Sequence, residues 1–181
     1  MISLPNALVV GASSRNSGKT TFLCGLLERF KNIAPIAVKV KTVYPKDLKW
    51  HGKGGEFLLD YFISKESDTQ NLDDSNRLLA AGASEVFYVK SQADKLDLAL
   101  AELLTLVESN QPLLFESNSI LGVCEPGAYI LIEGSDPKWY KPSSLKYKDK
   151  ASIVIKTNGE KHSLSPSELL LQWHPEGWSF S

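Results

Sequence analysis

The chain has 181 residues, 43% hydrophobic and 23% charged, with a formal net charge of −1; this is ordinary globular composition, long enough for one full-core domain over residues 1–181, and it argues against a nucleic-acid footprint or a basic membrane face. No apolar run approaches the roughly 18–20 residues of a membrane span, and no basic region precedes the short apolar run near the start, so neither a spanning helix nor a signal peptide is expected. The two cysteines, Cys24 and Cys124, lack metal spacing and do not read as a disulfide framework, which suits a reducing cytosol and a cytoplasmic protein.

In chain order, Ala7 to Gly11 is a Val-rich apolar run bounded by Pro5-Asn6 and by a polar loop, which predicts a strand buried on both faces. Over residues 19–31, Phe22, Leu23, Leu26, Leu27 and Phe30 fall at helical spacing. Gly25 costs that helix about 1 kcal/mol relative to Ala; it either lets the helix approach the sheet or is incidental. Between the two elements lies Gly11-Ala12-Ser13-Ser14-Arg15-Asn16-Ser17-Gly18-Lys19-Thr20-Thr21, the layout of a phosphate-binding loop. The motif is G-x-x-x-x-G-K-[ST], and Ser13 stands where its first Gly belongs, while Gly11 lies too early. Ser is tolerated there only if its φ stays in an allowed region.

Residues 33–41 predict a second strand in which Ile36, Val38 and Val40 alternate with Ala37, Lys39 and Lys41. In open α/β sheets ligands bind outside the carboxyl ends of the strands, so Lys39 and Lys41 either face an anionic ligand or form a solvated face. Residues 44–72 are the least regular, an insertion-like segment with a short helix or hairpin expected around 56–63. His51 lies in it with no second His or Cys at metal spacing. Asp73 or Asp74 N-caps a short helix that Gly82 ends. Val86–Val89 is a third strand. Ser91-Gln92-Ala93-Asp94 reads as a capping box opening a helix with Leu96, Leu100, Leu103 and Val107 on one face. Further strands are expected at 112–115, 129–132 and 153–155. A second capping box, Ser165-Pro166-Ser167-Glu168, predicts a last helix over 169–173, followed by a loose tail at 174–181. Strands alternating with helices imply a three-layer α/β fold of the P-loop NTPase kind, with a mostly parallel sheet and helices on both faces.

The candidate chemistry follows from that layout. Lys19 would neutralise the β- and γ-phosphates and charge developing on transfer. Thr20 would place its hydroxyl on Mg²⁺, Asn16, Ser17 and Gly18 would supply backbone N–H groups beside Ser13 and Ser14, and Thr21 could reach the α-phosphate. Arg15, at the loop tip, adds charge or is solvated. Glu116, directly after a buried strand, is placed to hold the metal's water or to orient an attacking water. Asp74 is a second carboxylate for the metal. Asn158, after the sixth strand, is where many nucleotide-binding proteins read a base edge. The guanine signature Asn-Lys-x-Asp is absent, so spacing does not choose between GTP and ATP.

Several of these pieces together resemble one family, the bacterial and archaeal MobB-type molybdopterin-guanine dinucleotide biosynthesis adaptors, which are small P-loop proteins. Asn16-Ser17-Gly18-Lys19-Thr20-Thr21 looks like the family's phosphate loop, and Ile36-Ala37-Val38-Lys39 is similar to its second strand. Asp74-Ser75 followed by Gly82-Ala83 is similar to its Asp-Ser…Ala-Gly-Ala segment, and Phe115-Glu116 sits where the family has an apolar strand ending in Glu-Gly. The likeness covers residues 6–135. It implies a Mg²⁺-dependent, GTP-binding, weakly hydrolysing homodimer that assists a partner enzyme in attaching a nucleotide to molybdopterin. The chain departs from the family at Ser13, at Lys41-Thr42-Val43-Tyr44 in place of a His-containing segment, and at Ser117-Asn118-Ser119 after Glu116. Two other readings stand beside it: a small-molecule kinase or ATP-dependent ligase with an acceptor held by 44–72, and a degenerate P-loop fold used as an interaction module.

Overall fold

The computed structural model describes residues 1–44, 59–67 and 74–181, with the Asp74 side chain outside that description. In chain order the elements are β1 (Ile2–Ala12), α1 (Lys19–Phe30), β2 (Ile36–Val43), β3 (Tyr61–Lys65), α2 (Asp74–Ala80), β4 (Glu85–Gln92), α3 (Leu96–Thr105), β5 (Leu113–Glu116), β6 (Cys124–Gly134), α4 (Pro142–Tyr147), β7 (Ile153–Thr157), β8 (Leu171–His174) and β9 (Gly177–Phe180). The apolar runs seed these strands, but ladder pairing extends them: β1 and β6 reach well past the runs at 7–11 and 129–132 because neighbouring backbones satisfy the flanking N–H and C=O groups. Among the described residues no helix is long and apolar enough to cross a membrane.

Seven strands form one sheet in the order β3-β4-β2-β5-β1-β6-β7. All neighbours are parallel except β3, which runs antiparallel to β4. Parallel neighbours need crossovers, and crossovers are right-handed. The chain steps from β1 to β2 to β4 in one direction along the sheet, and from β4 to β5, β6 and β7 in the other. A constant hand therefore places the two sets of connections on opposite faces. α1 and α2 accordingly share a core with Leu8, Val10, Leu114 and Ile130. α3, α4 and the turn after β5 share the other with Val9, Val38, Phe115 and Tyr129. The result is a three-layer α/β architecture.

The reversal falls between β1 and β5, whose outgoing connections part to opposite faces. That is the topological switch point, where a crevice opens at the carboxyl ends. In register there, Glu116 lies beside Val10 on one side and Lys39 on the other, on the α1 face. Just past β5, Asn118 prolongs the ladder with its side chain. Its Oδ1 accepts from Ala12 N and its Nδ2 donates to Ala12 O, both at 2.8 Å. Gly11 is explained by this packing: a Cβ there would meet Asn118 Oδ1 at 2.1 Å and the Tyr129 ring at 2.9 Å.

Residues 61–65 form an antiparallel edge strand; of the helix or hairpin expected around 56–63, residues 56–58 lie outside the described residues, as do His51 and the rest of 45–58 and 68–73. Three expectations are corrected. Ser91 sits inside β4, fully buried, with its hydroxyl on Gln92 O, so no capping box forms there; a 3-10 turn over Ala93–Lys95 leads into α3. The box at Ser165 and Glu168 does form, but it opens only a 3-10 turn. Residues 169–181 are then not a helix and a loose tail but the β8–β9 hairpin, packed through Trp178, 3% exposed, against β1. Gly25 makes room for Pro166 of that segment, whose Cγ lies 2.6 Å from a Cβ built there. Arg29 fastens the same segment, donating to the carbonyls of Pro166, Leu169 and Leu171.

The Asn118–Gly11 contact is testable. Gly11→Ala is expected to destabilise the fold by about 1–3 kcal/mol through overpacking, measured by urea denaturation; an unchanged midpoint would refute the contact.

Candidate functional site

The connection from β1 to α1 is pinned at its first residue. Ser13, 1% exposed, continues β1 through its N–H to Ile132 O, while its hydroxyl accepts from Gly134 N at 2.8 Å. Its carbonyl accepts from Lys141 N at 2.6 Å. Its φ is not positive, so Ser in place of Gly carries no backbone strain. The left-handed residues come later, Asn16 with φ 56° and Gly18 with φ 72°. Asn tolerates that region better than other side chains. Left-handed residues alternating with ordinary ones turn successive N–H groups toward one side, which makes an anion-accepting concavity. Gly18 is also the N-cap of α1 and supplies no side-chain cap. The first-turn N–H groups that follow have no intrahelical partner and carry the positive end of the helix dipole.

Glu116 lies at this end of α1, 3% exposed. Lys19 Nζ donates to its Oε1 at 2.8 Å, and Thr20 Oγ1 donates to its Oε2 at 3.2 Å. Lys39 Nζ approaches Oε1 to 3.8 Å. The four residues come from three elements, α1, β2 and β5, and meet because β5 sits between β1 and β2 in the sheet. A carboxylate so buried is stable when its charge is matched, and these partners match it.

Two cavities adjoin the loop. One, of about 400 Å³, is lined by Ser14 through Thr21 together with Arg77, Glu116, Lys141 and Gly159. The other, of about 630 Å³, runs from Ser14–Ser17 past Gly134–Asp136 and Lys138–Pro142 to Thr157–Gly159. Shared walls at Ser14–Ser17, Lys141 and Gly159 make them one cleft. Lys141 stands on the shared wall. Burial, and then the charges of Lys19 and Arg15, push its amine down to about 8, against the pull of Glu116. Arg15, Lys19, Arg77 and Lys141 thus line one cleft beside the loop together with Glu116.

The structure brings together Ser13, Ser14, Arg15, Asn16, Ser17, Gly18, Lys19, Thr20, Lys39 and Glu116 around the start of α1. Thr21 lines the same cavity, but its hydroxyl accepts from Arg77 Nη2 at 3.0 Å. Asn158 lines the larger cavity with its Oδ1 committed to a turn, accepting from the N–H groups of Glu160 and Lys161 at 3.0 and 2.8 Å. Asp74 opens α2, and its side chain lies outside the described residues. Lys41 pairs in register with Lys90, whose amine burial and then Lys41 push down. Arg77 escaped the sequence reading, as did two residues from far along the chain: Lys141, and His162, whose Nε2 lies 3.2 Å from Ser17 O. Neither belongs to a local motif, and both reach the loop across more than a hundred residues of chain.

Restoring the motif's missing glycine should do harm. Ser13→Gly is expected to cost about 1–2 kcal/mol of stability, from a lost buried hydrogen bond and added chain freedom. Thermal and urea unfolding check this, and a stabilised Ser13→Gly protein would refute it. No protein-family profile, no curated protein and no solved structure matches the chain.

Proposed function

We propose that the chain is a P-loop nucleotide-binding protein that takes a purine nucleoside triphosphate with Mg²⁺ and hydrolyses it slowly. One observation carries the reading: Arg15, Lys19, Arg77 and Lys141 line, with Glu116, the 400 Å³ cavity at the start of α1, where Asn16 and Gly18 are left-handed. Such a concavity of N–H groups and cations suits a polyphosphate. Lys19 would pass from Glu116 to the β- and γ-phosphates. The nucleoside would enter the adjoining cavity, which has Trp139, Tyr140 and Asn158 on its walls.

The residues fit Mg²⁺. A hydroxyl and a carboxylate within 3.2 Å of each other are hard oxygen ligands, and this ion is ordinarily held by one or two carboxylates, waters and substrate phosphates rather than by a protein cage. Among the described residues no group of three or more His, Cys, Asp or Glu forms such a cage. Thr20 and Glu116 would hold the ion, which supplies charge neutralisation at the transferring phosphate. Both Glu116 oxygens are engaged by α1, so orienting a water requires release of one of them, in keeping with slow turnover.

GTP is favoured over ATP by the resemblance to MobB-type adaptors. The same resemblance, in Asn16–Thr21, Ile36–Lys39, Asp74–Ala83 and Phe115–Glu116, supports a role as a cytoplasmic homodimeric accessory to a partner enzyme in molybdopterin guanine dinucleotide biosynthesis or a related pathway.

Lys19→Ala is expected to weaken Mg²⁺–GTP and Mg²⁺–ATP binding about tenfold to a hundredfold, the worth of a charge-assisted hydrogen bond. Isothermal titration calorimetry reads the loss, and equal affinity for the two proteins would sink the proposal. A pH profile tests Lys141. Bound phosphate favours its charged form and raises its pKa above the free value of about 8. Well below pH 8 the amine is charged with or without ligand, and binding is insensitive to it. As pH rises above that value, binding takes up a proton and affinity falls. Calorimetry in two buffers of different ionisation enthalpy measures the uptake, which Lys141→Met should abolish.

A further inference from the structure

The turn after β7 is held more tightly than a surface connection needs. Thr157 Oγ1 donates to Lys161 O and accepts from Gly159 N, each at 3.0 Å. Asn158 Oδ1 takes two further N–H groups of the same turn, and Asn158 N reaches Lys161 O at 3.3 Å. Below it, Ser163 N donates to Lys156 O and Lys156 N to Ser163 Oγ. Thr157 and His162 face each other as an antiparallel bridge. This bracing delivers one side chain to α1. The His162 ring packs edge-on against Phe22 with centroids 5.1 Å apart. Its Nε2 lies 3.2 Å from Ser17 O, and a Cβ built on Gly18 would come within 2.9 Å of the ring.

The chemistry of that contact has one solution. A carbonyl oxygen can only accept, so Nε2 carries the proton and donates. The Ser17–Gly18 peptide is trans, so its N–H points opposite to its C=O. With the carbonyl held toward His162, the Gly18 N–H points away from the ring. Ser17 and Gly18 line the 400 Å³ cavity and His162 does not, so the far side is the cavity. We propose that His162 is a positioning residue of the anion site: by holding the Ser17 carbonyl from behind, it keeps the Gly18 N–H aimed at the bound phosphate. The proposal rests on the nucleotide reading and adds to it a strut from the distant β7 turn. It also gives Asn158 a role as the brace of the turn that carries His162.

Inorganic pyrophosphate isolates the loop, since it has no base or ribose to occupy the larger cavity. Titrations of wild type, Lys19→Ala, His162→Ala and His162→Gln with pyrophosphate and Mg²⁺, with melting temperatures recorded in parallel, form the test. His162→Ala should bind about tenfold more weakly, the effect of one hydrogen bond, and His162→Gln, whose amide N–H can reach the same carbonyl, should recover most of it. The Gly18 amide resonance should move on titration in wild type and in His162→Gln, and move less in His162→Ala. Wild-type affinity in His162→Ala, or equal losses in the Ala and Gln variants, would overturn the role of His162 while leaving the nucleotide reading intact. Failure of wild type to bind any better than Lys19→Ala would overturn the anion site itself, and the positioning role with it.

Discussion

A carboxylate that is 3% exposed cannot stand without partners, and Glu116 recruits them from two neighbouring elements. Lys19 and Thr20 come from the first turn of α1, and Lys39 from the neighbouring strand. Removing a partner from such a buried ion pair commonly costs several kcal/mol, because the remaining charge is stranded. The arrangement ties the first turn of α1 and Lys39 of β2 to the end of β5. It also couples stability to ligand. An anion that draws Lys19 away leaves Glu116 dependent on Lys39 and on whatever cation arrives with the anion.

The position of this pair is a consequence of handedness. Right-handed crossovers in opposite directions along the sheet send α1 and α2 to one face and α3 and α4 to the other. The strands at the reversal, β1 and β5, end side by side, and their outgoing connections leave to opposite faces. Gly11, Asn118 and Ser13 then finish the edges there without a further strand, through one side-chain amide and one hydroxyl. What reads as a defect in a motif, Ser for Gly, is a residue used for its oxygen.

The sequence displays the parts whose signals are local. The buried strands appear as apolar runs, α1 appears by its helical spacing, and Gly18-Lys19-Thr20 and Glu116 are legible from their places beside them. The misreadings share a cause. Ser165 and Glu168 form the capping box they advertise, but a cap permits a helix without compelling one. Leu169, Leu170, Leu171 and Gln172 alternate buried, exposed, buried, exposed, the period of a strand, and Trp178 has a buried place waiting on β1. At Ser91 the sheet outbid the cap, because β2 offers β4 a ladder through Gln92. Lys141 and His162 carry no local signal. Each is one polar residue in an irregular segment, and its importance arises only from the distant backbone it touches.

The contacts that steady the N-terminal loop and helix come from far along the chain. His162 meets Ser17 across 145 residues, Arg29 meets Pro166 across 137, and Trp178 Nε1 donates to Asn6 O across 172. Loop closure over such spans is slow, and long-range pairings form late. In the folded chain the β8–β9 hairpin and the turn before it cover β1 and α1. The cluster that holds Leu8, Phe22 and Leu26 is thus completed by Leu171 and Trp178, from strands far downstream of β1.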